Sequence, residues 1–308
     1  MVALAAVSAI GLVADDRMLV GARVWFKPLK FSVSFALYGL TLAWMLGRSP
    51  ARSRTGWWAG TVIAGTGTVE MAVIVGQTVR GRRSHFNFAT PLDQAFFATM
   101  GVTIVVLWVA TFVIALLQFR RGRSADPAAT RAVRLGVLIA LAGLALGGLM
   151  LAPTPDQQAA AAHGVREIVG AHSVGVPDGG PAMPLTGWST TGGDLRIPHF
   201  VGMHALQALP LFLLALDTLG RRIPRLRAER VRLRLVLIAA GLHTGLLALV
   251  TWQALRGQPL LRPDAPTLGA LAALLAATAL GMYAALRAPA RPYDDTTDIP
   301  ARPQELTA

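Results

Sequence analysis

The side chains that could do chemistry sit where a lipid-facing helix would not carry them. In "GDLRIPHFVGMHALQALPL", residues 193–211, Asp194, Arg196, His199, His204 and Gln207 enter an otherwise apolar run. His199 and His204 are five residues apart, so on one helix they point about 140° away from each other. Two ligands to one metal on a helix normally stand at i, i+3 or i, i+4, so "HFVGMH" is not a metal motif by itself. His204 and Gln207, at i, i+3, share a face and can bond each other or one ligand. Pro198 suits the first helical position, which sets His199 at the rim and His204 more than a turn deeper.

Other segments add to this set. Lys30, Ser34, Tyr38 and Thr41 fall on one helical face, although Lys27 and Lys30 could equally snorkel to headgroups. Glu70 and Gln77 share a face of the next apolar run. A carboxylate at that depth costs a few kcal/mol, of order 3, unless it is paired, protonated or in a wet cavity. The alternative is a structural pair with Lys30, Arg80 or a histidine. In "QTVRGRRSHFNFATPLDQ", Arg80, Arg82 and Arg83 precede His85 and Asn87. Their partners are lipid phosphates, Asp93 and Asp194, or an anionic ligand held in bidentate fashion. Asp93 also reads as a cap for the following helix.

These residues compose one candidate ligand site: Lys30, Glu70, Gln77, Arg80, His85, Asn87, Asp194, Arg196, His199, His204 and Gln207. In this reading Glu70 and His204 exchange protons, Arg80 or Arg196 holds an anionic group, and Gln77 and Gln207 orient it. His85, His199 and His204 are weak metal candidates, with Glu70, Asp93 or Asp194 to complete a set. Seven-helix hydrolases of the ceramidase and adiponectin-receptor kind use an HxxxH pair, from which HxxxxH departs. Haem would need facing axial ligands, and only His204 and His243 lie deep enough. His243 reads as a bond to a neighbouring helix. There is no G-x-S-x-G elbow and no P-loop. With no cysteine in the chain, disulfides, thiolate metal sites and cysteine nucleophiles are excluded.

The elements that must position these groups are membrane helices. The 308 residues are 54% hydrophobic and 15% charged, where a soluble domain would carry about a quarter charged residues. Mean hydropathy is +0.52, and the apolar runs approach the roughly 20 residues that span a bilayer. The expected fold is an all-α integral membrane bundle of seven spans, roughly 29–47, 56–77, 95–118, 132–152, 199–219, 233–253 and 267–287. The N-terminal run "MVALAAVSAIGLVA" is a short hydrophobic helix, or a full eighth span if the true start lies upstream. Residues 1–287 form one domain, and 288–308 read as a disordered tail.

Of the 29 basic residues, 18 fall in one set of connections, seven of them in "RRIPRLRAERVRLR". The positive-inside rule makes that side cytoplasmic and puts the C-terminus inside a bacterial plasma membrane. It also accounts for the charge of +13 without a nucleic-acid partner. The opposite face carries 15–28, 78–94, the long loop 153–198 and 254–266, with a short helix suggested at Ala159–Ala162. No internal repeat and no broken midplane helix of the carrier kind is read.

The runs "WFKPLKFSVSFALYGLTLAWML", "GQTVRGRRSHFNFATPLD" and "AHSVGVPDGGPAMPLTGWSTTGGDLRIPHFVGMHALQALPL" resemble a family of uncharacterised bacterial, mainly actinobacterial, multi-pass membrane proteins. The resemblance covers most of the chain between Asp15 and Ala254. It implies a first helix that begins further upstream, and it brings no activity, cofactor or catalytic residue. The functional expectation rests on the polar residues: a receptor, carrier or accessory protein for a small polar, anionic or lipid-headgroup ligand at the extracytoplasmic end. The alternatives are a membrane-embedded, metal-dependent hydrolase or transferase at the outer leaflet, and a structural subunit of a membrane complex.

Overall fold

A computed structural model of the chain describes residues 1–47, 53–120 and 126–288. The proposed tail beyond Ala288, and Arg48, Arg52, Arg121, Arg123, Arg291 and Arg302 of the orientation argument, lie outside the described residues. The helices are α1 (Val2–Ala14), α2 (Phe26–Gly47), α3 (Arg54–Val79), α4 (Pro91–Arg120), α5 (Pro127–Leu146), α6 (Pro155–Ala162), α7 (Arg196–Met203), α8 (Ala205–Gly220), α9 (Glu229–Leu255) and α10 (Ala265–Arg287). Their starts follow local chemistry. Ser53 and Asp126 accept from the first free backbone N–H groups of α3 and α5, and Asp264 does so for α10. A Thr154–Gln157 capping box with Pro155 begins α6, so the short helix expected at 159–162 starts a turn earlier.

Six helical segments are long and apolar enough to cross a membrane, which makes the chain an all-α, multi-pass bundle. The seventh expected span, 199–219, is not one helix: α7 and α8 meet at His204 with a bend of 44°. Pro210 lies inside α8 and cannot donate to the carbonyl four residues back, which frees the backbone near the bend. On the other side of the bend His243 Nε2 donates to the Val201 carbonyl at 2.8 Å, replacing the helical bond lost at the break. The break is therefore specified partly by a partner helix, which hydropathy along one segment does not register.

The core is organised around α5. On one side Ala132 and Ile139 pack with Leu209, Leu235 and Leu247 of α8 and α9. On the other, Val137 and Leu141 pack with Leu42, Leu107 and Ile114 of α2 and α4. Small residues let the backbones close: a Cβ on Gly143 would stand 2.4 Å from the Gly202 backbone, the approach that glycine permits between membrane helices. The outward surfaces carry Leu, Val and Ile, with exposed Trp44, Trp57 and Trp58 towards one end and Trp252 towards the other. Aromatic residues favour such interfacial levels.

The four connections read as lying on one face do meet at one end of the bundle. Two short antiparallel strand pairs help build this cap: β1 (Met18–Leu19) with β2 (Ala22–Arg23), and β3 (Ser173–Val174) with β4 (Gly193–Asp194). Phe88 N donates to Glu167 O and Val169 N to Phe86 O, tying the α3–α4 connection to the long loop. Arg17 reaches the Val79 carbonyl, and the Gly21 turn abuts Gly179. At the other end Arg232 pairs with Asp126 and Asp217, both at 2.8 Å.

Candidate functional site

Beginning at Phe26, α2 starts three residues earlier than hydropathy indicates, so Lys27 and Lys30 occupy its first turns directly under the cap. Lys30 Nζ donates to the Thr186 carbonyl at 2.7 Å and lies 4.4 Å from the Phe26 ring centroid. Lys27 Nζ is 3.0 Å from His85 Nδ1 and 5.6 Å from the Phe31 centroid. An ammonium only donates, so His85 Nδ1 accepts and the ring is neutral with its proton on Nε2. Burial, then the positive charge of Lys27, holds the His85 pKa well below the ordinary histidine value. Ser84 Oγ also lies 3.1 Å from Nδ1.

No carboxylate lies within ion-pair distance of Lys27, Lys30 or Arg83 among the described residues. The charges acting on Lys27 are those of Arg196, Lys30, Glu70 and Arg83, three cations and one carboxylate. The other arginines of the neighbourhood are committed. Arg80 and Arg82 pair with the fully buried Asp93 at 2.9 and 3.1 Å. Arg196 grips Asp194 through Nε at 2.9 Å and Nη2 at 2.6 Å, and also donates to the Gly187 carbonyl. Arg80 and Arg196, expected to hold an anionic group, are thus each bound to a carboxylate of the chain.

Asp93 gathers its partners from the end of α3 and the α3–α4 connection. Gln77 Nε2 donates to Asp93 Oδ1 at 2.8 Å, Thr90 Oγ1 donates to Oδ2 at 2.7 Å, and Arg80 Nη1 donates to Gln77 Oε1. Thr90 Oγ1 also lies 3.2 Å from the Asp93 backbone N–H, so Thr90, not Asp93, caps α4. Asn87 closes a local turn by donating to the Arg83 carbonyl and accepting from Ala89 N. Gln77, Arg80 and Asn87 hold the α3–α4 connection in shape.

Glu70, 3% exposed, meets Thr103 Oγ1 of α4 at 2.5 Å. His204 Nδ1 lies 3.3 Å from Gln207 Oε1, and Gln207 Nε2 donates to Thr41 Oγ1 at 3.1 Å. Because the Thr41 hydroxyl donates to the Leu37 carbonyl, it must accept from the Gln207 amide. Gln207 Oε1 then faces His204, which donates through Nδ1. His199 Nδ1 meets the Gly143 carbonyl at 2.9 Å, a link between α7 and α5.

Glu70, His85 and His204 are therefore in three separate hydrogen-bond systems, and no bond joins them among the described residues. The proton exchange expected between Glu70 and His204 has no hydrogen-bonded route there. Nor do the described residues bring together any group of three or more His, Asp or Glu that could hold a metal. His85, His199 and His204, the weak metal candidates, each serve a different interface.

Sequence reasoning missed a second set in the long loop. Asp178 accepts from His172 N, Ser173 N and His172 Nδ1, the last at 3.0 Å. These bonds outweigh burial and hold the Asp178 pKa well below the usual carboxylate range. Burial, with Arg196 and Lys27 nearby, pushes the His172 pKa down. His172, Asp178, Gly179, Gly187, Ser189 and Arg196 line a cleft in the cap. The six-residue spacing from His172 to Asp178 in a turn-rich loop gives no periodic signal; the loop's own closure brings them together.

In comparisons with known proteins, no family, no curated protein and no solved structure matches the chain.

Proposed function

We propose that the protein binds a small anionic or lipid-headgroup ligand at the capped end of its bundle, with Lys27, Lys30 and Arg83 supplying the charge. The observation that carries this reading is the absence of any acidic partner for these three cations among the described residues, while Arg80, Arg82 and Arg196 beside them are all paired. Two half-buried ammonium groups in the first turns of α2 lie at the positive end of its dipole, which favours a bound anion. His85 is neutral and adds no negative charge. In this reading the capped end is extracytoplasmic, the arginine-rich end and the C-terminus are cytoplasmic, and the membrane is a bacterial plasma membrane. The arginine excess then reflects topology and not a nucleic-acid partner.

The test is lipid and anion retention by purified protein. Native mass spectrometry should find an anionic lipid or phosphate retained by the wild type, and lost from Lys27→Gln/Lys30→Gln. Equal retention by both would remove the reading.

A carrier is the second reading, favoured by the break of α7–α8 at His204. Transporters place substrate sites at discontinuous helices, and His204 Nε2 has no hydrogen-bond partner there among the described residues. Uptake of labelled phosphate into proteoliposomes separates a carrier from a receptor.

A further inference from the structure

The cationic group and the loop cleft are joined at Gly187. This residue lines the cleft, its carbonyl accepts from Arg196 Nη2 at 2.6 Å, and its φ is +67°. A Cβ built on Gly187 would stand 3.5 Å from Lys30 Nζ and 3.6 Å from the Phe26 ring. A side chain at 187 would lie against the ammonium, and the positive φ makes any replacement strained. Lys30 uses one of its three N–H groups on Thr186 and has two left.

The cleft itself offers hydrogen bonds of both kinds. His172 donates through Nδ1 to Asp178, which leaves Nε2 an acceptor. Asp178 is held by two further backbone N–H groups, so the ring's orientation does not depend on a ligand. Ser189 Oγ accepts from Gly192 N, and its hydroxyl proton has no acceptor among the described residues. Arg196 spends Nε and Nη2 on Asp194 and Gly187, leaving Nη1 as a donor. One carboxylate is present, and its oxygens are occupied by the loop. Such a wall suits neutral hydroxyl groups, which donate and accept at once, while the anion-binding charge lies next door at Lys30.

We infer that the ligand is a glycerol-phosphate ester, its phosphate on Lys27 and Lys30 and its free hydroxyls in the His172–Ser189–Arg196 cleft. The inference rests on the anion-binding reading above and narrows it to one chemical class. The same chemistry occurs in a phospholipid with a glycerol headgroup and in free glycerol phosphate.

The experiment compares four probes on the full-length protein in phosphatidylcholine nanodiscs: inorganic phosphate, glycerol 3-phosphate, and nanodiscs doped with phosphatidic acid or phosphatidylglycerol. Each is measured for wild type, His172→Phe and Lys27→Gln/Lys30→Gln. His172→Phe keeps ring volume and the backbone contacts of Asp178 while deleting Nε2 together with the Nδ1 bond to Asp178. The glycerol-bearing probe of one pair should bind the wild type about tenfold tighter than its partner, the difference expected for one or two specific hydrogen bonds. The preference should collapse in His172→Phe with phosphate affinity unchanged. A preference within the soluble pair identifies a free ester, and within the lipid pair a membrane lipid. Equal affinity within both pairs, or a preference that survives His172→Phe, overturns the inference while leaving the anion site standing. No binding of any probe, or binding indifferent to the lysines, overturns both.

Discussion

Lys27 Nζ stands 3.0 Å from His85 Nδ1, joining the first turn of α2 to the α3–α4 connection across the capped end. In this contact Lys27 donates and the imidazole accepts. No carboxylate stands within ion-pair distance of Lys27 Nζ among the described residues, which is what the proposed anion would supply.

The His85 titration should report this contact. Lys27→Met removes a charge that lowers the His85 pKa, so the pKa should rise. It should stay below the ordinary histidine range, because burial is the larger cause. Nuclear magnetic resonance of the labelled ring measures this directly, and an unchanged titration would show that the two side chains are not in contact.

Asp93→Asn should weaken the cap without touching the lysines. It takes the charge from a fully buried carboxylate that serves Arg80, Arg82, Gln77 and Thr90. Lost charge-assisted bonds in such a place cost about 1–3 kcal/mol. Thermal unfolding in detergent should show a lower midpoint, with anion affinity retained by the folded fraction. A ligand role for Arg80 or Gln77 would instead lower affinity at unchanged stability.

Acid should loosen the cap. For Asp178, with its pKa depressed on folding, the stabilisation is present above the unfolded value of about 3.9 and is lost as pH falls below it. For His85 and His172, kept neutral by folding, the unfolded state takes up protons first, so stability declines as pH falls through about 6.5. Both effects have the same sign. Hydrogen exchange across 165–194, corrected for intrinsic rates, should lose protection between pH 7 and 5, and less so in His172→Phe.

The broken helix should be sensitive to its supports. Gly143→Val would drive a side chain into the Gly202 backbone and should prevent α5 and α7 from closing. His243→Ala leaves the Val201 carbonyl unpaired at the bend. In a membrane that bond contributes about 0.6 kcal/mol and up to roughly 2, so a modest fall in thermal midpoint is expected. A rise would mean that the break is strained against its helical alternative.

Much of the architecture was legible because hydropathy along the chain is a long-range average. It located the long apolar helices and placed four connections at a common end. It did not register the bend within residues 199–219, where the apolar average is high but Gly202, Pro210 and a histidine from another helix divide the segment. The signal lay in "GMHALQALP", with glycine and proline eight residues apart around the bend. The pairing of His204 with Gln207 was readable because i, i+3 neighbours meet on any helix. The partners of Arg80 and Arg82 depend on loop closure, so sequence offered several for each. Lys27 read as an interfacial anchor because nothing local shows that a cap covers it, and His172 with Asp178 is a product of one turn in a long loop.

Lys27 and Lys30 lack an acidic partner among the described residues while Arg80 has Asp93, and the proposed anion site depends on that difference. Equilibrium binding of labelled phosphate to the protein in phosphatidylcholine nanodiscs tests it, comparing wild type, Lys27→Gln/Lys30→Gln and Arg80→Gln. Saturable binding that falls at least tenfold in the double lysine variant and stays unchanged in folded Arg80→Gln is the predicted result. Binding that survives loss of both lysines, or that disappears with Arg80, would contradict it.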